Sequence, residues 1–342
     1  MYGLATVSAA RILTCFALLF SAAAANAQAL SIKFALDWRF EGAAAPFLVA
    51  IDKGYFTQEG LDVAIEPGNG SVEPIGRVAS GAYEMGFGDI NTVIRFRDQS
   101  PTNGVKAVFM VYNKPPFAII SRKSRGITSP KDLEGKKLGA PAGDAAFTQW
   151  PIFVQANGID AAKVKVENVG FPVREPMLAA GQVDAITGFS FSSYVTLKDR
   201  GVPLDDVVLM VMADHGVNLY GNAIVVNAKF AAEKPEAVRG FLRAFLHGLK
   251  DSVRDPRRAV ESVLTRNDLA KKETEQERLR LVVRDNIVTP EVKANGYGAV
   301  DFNRLQSSIE QIGQTYKFKN RVTAQDVFDP TFLPPDDDRH VR

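Results

Sequence analysis

From residue 31 the chain alternates between short strand-forming runs and helical runs that stop at glycine. That alternation constrains the fold more than any other feature. Residues 31–36 (SIKFAL) read as a strand and residues 44–53 as a helix stopped by Gly54. Leu61, Val63 and Ile65 alternate with polar or small residues, the two-residue period of a strand. A helix over 74–80 stops at Gly81, and Met85 and Phe87 mark the next strand. Further strands are expected over 105–112, over 117–121 and from Lys137. Between them Ser129 caps a short helix with Pro130 at its first position. Residues 145–157 read as a helix ending at Gly158. Parallel neighbours need a crossover, which a helix supplies, so the pattern predicts an α/β protein with mainly parallel sheets. A chain of 342 residues has room for about two such domains.

Helices take over from residue 235. Val238, Phe241, Leu242, Phe245, Leu249 and Val253 follow the 3.6-residue apolar period from Pro235 until Asp255-Pro256. Residues 257–264, 273–284 and 301–316 continue the helical pattern. The tail from Leu333 is expected to be polar and without a core.

The N-terminus reads as an export signal, the alternative being a membrane anchor. Residues 12–25 (ILTCFALLFSAAAA) are apolar, follow Arg11 and are too short to span a bilayer comfortably. Ala25-Asn26-Ala27 places small residues where a signal peptidase reads, so residues 1–27 are expected to be removed. The only cysteine, Cys15, goes with them. The exported chain then has no disulfide, thiolate nucleophile or cysteine-held metal. Lys+Arg total 41 against 39 Asp+Glu, a near balance that lacks the basic excess of a nucleic-acid binder.

A faint internal echo runs through the chain. Gly81-Ala-Tyr-Glu-Met-Gly-Phe-Gly88 is matched 100 residues later by Gly181-Gln-Val-Asp-Ala-Ile-Thr-Gly188. A helix opened by Glu73-Pro74 precedes the first copy, and one opened by Glu175-Pro176 precedes the second. Two lobes of similar architecture produce such a pattern, and so does chance recurrence of helix–Gly–strand units.

Five stretches carry a resemblance, in order along the chain. They are Gly54-Tyr55-Phe56 with Glu59-Gly60-Leu61-Asp62-Val63 and Gly68-Asn69-Gly70-Ser71; Ser80-Gly81 with Gly86-Phe87-Gly88-Asp89; Asp132 to Gly139; Ala180 to Ala185; and Tyr220-Gly221-Asn222 with Val225-Val226-Asn227 and Phe230. Over residues 31–250 they resemble the substrate-binding proteins of bacterial ABC importers, in the branch that binds thiamine pyrimidines, sulfonates, taurine and nitrate. Asp37-Trp38 and Tyr220-Gly221-Asn222 are most similar to the thiamine-pyrimidine-precursor group. The loop after Trp38, Arg39-Phe40-Glu41-Gly42, differs from the Pro- and Asn-containing loop usual there. A related eukaryotic group makes the pyrimidine itself and carries a cysteine-rich metal motif, which the exported chain lacks.

The resemblance implies a type II periplasmic-binding-protein fold, with two α/β lobes, two crossovers near 117–121 and 220–225, and ligand in the cleft. The first lobe is expected over 28–119 and 222–342, the second over 120–221. It implies a periplasmic monomer that captures a small solute and hands it to an ABC permease and its ATPase, with no catalytic residue, metal or cofactor.

Open α/β sheets bind ligands at the carboxyl ends of their strands, which selects the candidates. Trp38 offers a face to a flat ring, or is a core residue; Asp37 accepts from ring N–H or amino groups, or caps a turn. Asp89 and Asn91 reach across the cleft, or cap the next helix. In the loop 140–147, Gly143 and its neighbours present N–H groups at a helix start, where Asp144 either binds or caps. Phe147 flanks a ring or packs in the core. Phe189 and Ser190, placed in the second lobe like Asp89 in the first, line the cleft or pack the strand. Tyr220 and Asn222 flank the return crossover. The ligand these residues favour is a flat, amino-bearing heteroaromatic. A small anion would instead call on Arg39 or Arg174. His215, His247 and His340 are too scattered for a metal, which needs three or four convergent ligands.

Overall fold

The computed structural model describes residues 29–102 and 104–341. The predicted export signal and its cleavage after Ala27 lie outside the described residues. Two five-stranded sheets form the frame. The first contains β1 (Leu30–Ala35), β2 (Leu61–Glu66), β3 (Met85–Asp89), β4 (Val105–Met110) and β10 (Asn222–Asn227), in the order β2-β1-β3-β10-β4. The second contains β5 (Phe117–Arg122), β6 (Lys137–Ala140), β7 (Lys165–Asn168), β8 (Ala185–Phe189) and β9 (Val207–Val211), in the order β7-β6-β8-β5-β9.

Each sheet is parallel except for one strand. β10 runs antiparallel to β3 and β4, and β5 runs antiparallel to β8 and β9. These are the strands with which the chain enters a sheet after leaving the other. The two strand orders superpose, so the echo between residues 81–88 and 181–188 reflects like architecture. β3 and β8 occupy the same place, and Gly81 and Gly181 both turn into them with positive φ, 77° and 72°. A side chain at φ in that region is strained, which is why glycine recurs there.

Three sequence expectations need correction. Residues 117–121 are strand, and the first passage between sheets lies at 111–116; the second lies at 212–221, just ahead of β10. The helix expected over 145–157 is two, Ala145–Thr148 and Trp150–Asn157, because Pro151 starts a second one. The tail is not free of the core. Leu333 packs against both large apolar clusters, and the buried Arg339 donates to the carbonyls of Pro334 and Tyr297, each at 3.1 Å.

The first core lies between sheet and helices. Helix Pro235–Arg254 crosses helix Ala45–Asp52 so closely that a Cβ on Gly248 would come within 2.2 Å of the Pro46 carbonyl. Phe245 fills the contact, with its ring 4.4 Å from that of Phe47 and 5.4 Å from that of Phe109. A second cluster runs from the first sheet through helix Phe302–Tyr316 into the second lobe, where it takes in Phe117, Trp150 and Phe153. Removing the fully buried Phe245 ring is expected to cost about 3–5 kcal/mol. Urea unfolding of Phe245→Ala tests this; a loss under about 1 kcal/mol would contradict the packing described.

Candidate functional site

The carboxyl ends of β1, β3, β6 and β8 meet across the gap between the sheets, and a cavity lies there. From the first lobe Asp37, Trp38, Arg39, Glu41, Gly70 and Ser71 line it, over a floor of Phe47, Phe87 and Tyr112. From the second come Asp144, Ala145, Phe171, Arg174 and Phe189, with Phe191 and Ser192 one turn further on. Both lobes therefore share one wall. Trp38 meets Phe171 edge to face at 5.0 Å, and Phe189 lies 6.5 Å from Tyr112. A Cβ on Gly70 would come 2.3 Å from the Gly143 carbonyl, so the lobes touch where glycine leaves room.

Asp37 is buried and held by two neutral donors. Asn222 Nδ2 donates to its Oδ2 at 2.6 Å and Ser71 Oγ at 3.3 Å. Burial pushes its pKa up to about 7, against the lowering pull of those hydrogen bonds. Asp144 sits across the cavity. It caps helix Ala145–Thr148 through the Ala146 N–H at 3.2 Å, accepts from Thr187 Oγ1 at 2.6 Å and lies 3.6 Å from Arg174. Burial raises this carboxyl too, although Arg174 pulls the other way. Arg174 is engaged in turn by Glu175 at 2.7 Å. Arg39 is exposed and lies 5.3 Å over the Trp38 ring. Trp38 Nε1 donates to Glu41 at 3.2 Å.

Of the residues expected at the site, Asp37, Trp38, Asp144 and Phe189 line the cavity. The others do not. Asn222 stands behind Asp37 and orients it. Gly143 lies beside the cavity, at the contact with Gly70. Phe147 packs against the second core cluster. The Ser190 N–H is bound to the Pro116 carbonyl at 2.8 Å, and Ser192 takes the lining place instead. Tyr220 is turned away: its ring lies 3.8 Å under Arg304, and its hydroxyl donates to Glu291 at 2.5 Å. Asp89 and Asn91 are fully buried behind the wall. Asp89 caps helix Ile90–Gln99 and accepts from Asn91 Nδ2 at 2.6 Å and Gln149 Nε2 at 3.1 Å, while Asn91 also donates to the Tyr220 carbonyl at 2.7 Å. Glu41, Ser71, Tyr112, Phe171, Phe191 and Ser192 were not foreseen. For Glu41 and Ser71 their nearness to Asp37-Trp38 and to the Gly68-Asn69-Gly70 turn was an available signal.

An aromatic wall with a carboxyl at its edge suits a flat ring bearing hydrogen-bond donors. An amino group beside a ring nitrogen offers one donor and one acceptor. A carboxyl near its midpoint at neutral pH matches that edge whichever partner holds the proton.

Burial also raises the Asp89 pKa to about 7, from 3.8. A carboxyl whose pKa is higher in the folded state supports folding in its protonated form. That contribution is present below about pH 4 and lost as pH rises through about 7. Gln149 Oε1 is buried without a partner, so an amide flip lets it accept from an asparagine at position 89. Asp89→Asn is therefore expected to gain stability relative to the parent between about pH 5 and pH 8. Urea midpoints at the two pH values test this, and parallel profiles would refute it.

The comparisons agree with this architecture. The alkanesulfonate-binding protein SsuA from Xanthomonas axonopodis pv. citri, solved with MOPS, matches with a TM-score of 0.68 at 12% identity, over 89% of this chain and 99% of that one. At that identity it shows the fold, a periplasmic-binding-protein fold. The formylaminopyrimidine-binding protein of Halalkalibacterium halodurans is 29% identical over 306 residues, 87% of this chain and 89% of the relative. The riboflavin-binding protein RibY of Chloroflexus aurantiacus is 27% identical over 220 residues, 64% of this chain and 61% of the relative. A family model described as NMT1/THI5 like matches residues 42–259, from the loop beside Trp38 through both passages between the sheets to the helix that follows Pro256. The chain belongs to the NMT1/THI5-like family.

Proposed function

We propose that this chain is a periplasmic solute-binding receptor of an ABC importer, and that its solute is a small amino-bearing heteroaromatic of the pyrimidine type. The observation that carries the reading is Asp37, a buried carboxyl held by neutral donors alone beside Trp38. A ring with an amino group supplies the missing donor and lies flat against the aromatic wall. Because both lobes line the cavity, a solute that contacts both favours the closed arrangement and shifts the population toward it. The closed monomer then presents its solute to a membrane permease and its ATPase. The apolar run 12–25 followed by Ala25-Asn26-Ala27, the pattern expected of an export signal, supports the periplasmic location. Among the described residues, no helix is long and apolar enough to cross a membrane.

Two other readings compete. A sulfonate or nitrate calls for a free cation, and Arg174 is already bound by Glu175 and Asp144. Arg39, at the rim, is the cation left for it. An enzyme that makes the pyrimidine calls for a metal or an activated nucleophile. Among the described residues no group of three or more His, Cys, Asp and Glu is placed to hold a metal. The relatives named as binding proteins for a formylaminopyrimidine and for riboflavin favour the receptor.

A thermal-shift panel of residues 28–342 decides between solutes. It pairs 4-amino-2-methylpyrimidines bearing 5-aminomethyl or 5-formylaminomethyl arms, and riboflavin, with taurine, an alkanesulfonate and nitrate. A solute at 100 times its Kd stabilises by about 2.7 kcal/mol, a rise of about 4 °C for a chain of this length. The aminopyrimidines are expected to give that rise. Trp38→Ala and Asp37→Asn are each expected to weaken them tenfold or more, about 1.4 kcal/mol or above, while Arg39→Ala leaves them unchanged. A rise with the small anions alone, lost in Arg39→Ala, would overturn the assignment. A rise with riboflavin alone would keep the receptor and replace the pyrimidine.

A further inference from the structure

Glu41 lines the cavity, but it is held from outside. Helix Lys272–Val282 lies in neither sheet and packs on the first-lobe core through Leu279 and Val282. Its Arg278, 4% exposed, reaches three ways. Nη1 donates to Glu275 on the same helix at 2.5 Å, Nε lies 3.3 Å from Glu41 Oε2, and Nη2 donates to Thr196 Oγ1 at 3.2 Å. Thr196 belongs to the second-lobe helix Ser190–Asp199, which also carries the lining residue Ser192. Glu275 completes the loop by accepting from the Gly42 N–H at 2.5 Å. A Cβ on Gly42 would stand 2.1 Å from the Glu275 carbonyl, so the helix approaches this turn as nearly as a backbone can.

We propose that Arg278 is a positioning residue and its helix a closure strap, setting Glu41 and Trp38 for the solute and tying the second lobe to the first along one edge of the cleft. The proposal rests on the receptor reading given above. The strap is asymmetric. On the first-lobe side stands a buried guanidinium between two carboxylates, a cluster that is costly to break because either partner would be left as an uncompensated buried charge. On the second-lobe side stand contacts that separate cheaply. They are one bond from the Arg278 guanidinium to the Thr196 hydroxyl, the pairs Lys198–Glu277 at 2.7 Å and Lys271–Asp199 at 3.6 Å, and the bond from Thr274 to Asp199 at 3.1 Å. The Lys198 and Glu277 side chains are 43% and 32% exposed, so water replaces their partners when the lobes part. Trp38, Glu41, Arg278 and Thr196 thus form one connected chain from cavity wall to opposite lobe. Anything that fixes Trp38 also fixes the group that reaches across. The apparent affinity then scales with the fraction of receptor that is closed.

The test uses Lys198→Glu, Glu277→Lys and the two together, at half-exposed positions remote from the cavity wall. Small-angle scattering of the ligand-free protein reads opening, and calorimetry with 4-amino-5-aminomethyl-2-methylpyrimidine reads affinity. Each single reversal is expected to enlarge the radius of gyration and to weaken the probe about three- to tenfold, and the double swap to restore both. Arg278→Met is expected to weaken the probe further, with Arg278→Lys recovering part of the loss. Single reversals that leave radius and affinity at parental values, or a double swap that restores neither, would overturn the strap. If the probe fails to bind the parent, the receptor's assigned solute has failed. The scattering comparison, which needs no solute, then decides the strap alone.

Discussion

The hydrogen bond from Asn222 to Asp37 ties together most of what the fold accomplishes. Asn222 is the first residue of β10, the strand with which the chain returns to the first sheet. Asp37 follows β1, which reaches β10 only through β3. One 2.6 Å contact therefore links the return passage, the centre of the first sheet and the cavity wall. It also fixes the electrostatic character of the site. Burying a carboxyl with amide and hydroxyl partners keeps it in place without neutralising it, and the desolvation that lifts its pKa is what leaves it receptive to a donor.

The periodicities carried the fold because α/β packing is largely local. Strand, helix and glycine stop follow one another within about thirty residues, and the hydrophobic period of each declares its partner face. The equivalence of β3 and β8 was visible in two glycines 100 residues apart. The antiparallel entries β5 and β10 were not visible, since strand direction depends on where the chain last left a sheet and leaves no mark on composition. Nor was the docked tail. Leu333-Pro-Pro-Asp-Asp-Asp-Arg looks solvated until Arg339 is seen to donate to carbonyls 5 and 42 residues away.

The site was half legible for a related reason. Polar and aromatic residues at the carboxyl ends of strands are rightly suspected, and Asp37, Trp38, Asp144 and Phe189 lie where that rule puts them. Whether such a residue faces ligand or neighbour depends on what covers it. Tyr220 is covered by Arg304 and Glu291 from the C-terminal helices, and Asp89 by Gln149 from the other lobe. Both covers come from 60 or more residues away, beyond the reach of any motif. Phe171, in a plain Gly-Phe-Pro-Val stretch, reaches Trp38 only because the lobes meet.

The internal echo also frames an asymmetry between the two sides of the cavity. β1 and β6 hold the same place in their sheets, and the loop after each sends a carboxyl into the cavity, Asp37 from one and Asp144 from the other. The helices after β2 and β7 carry Glu73-Pro74 and Glu175-Pro176, and they begin at Val72 and Arg174 respectively. The second lobe thus places a guanidinium 3.6 Å from its carboxyl, whereas the first has valine at that position and turns to Ser71 and Asn222. Two equivalent acids are treated unequally. One is balanced inside the protein and serves the architecture of the wall. The other keeps neutral partners and leaves its balance to whatever enters. The asymmetry between the two acids therefore lies as much in the valine at residue 72 as in the carboxyl at residue 37.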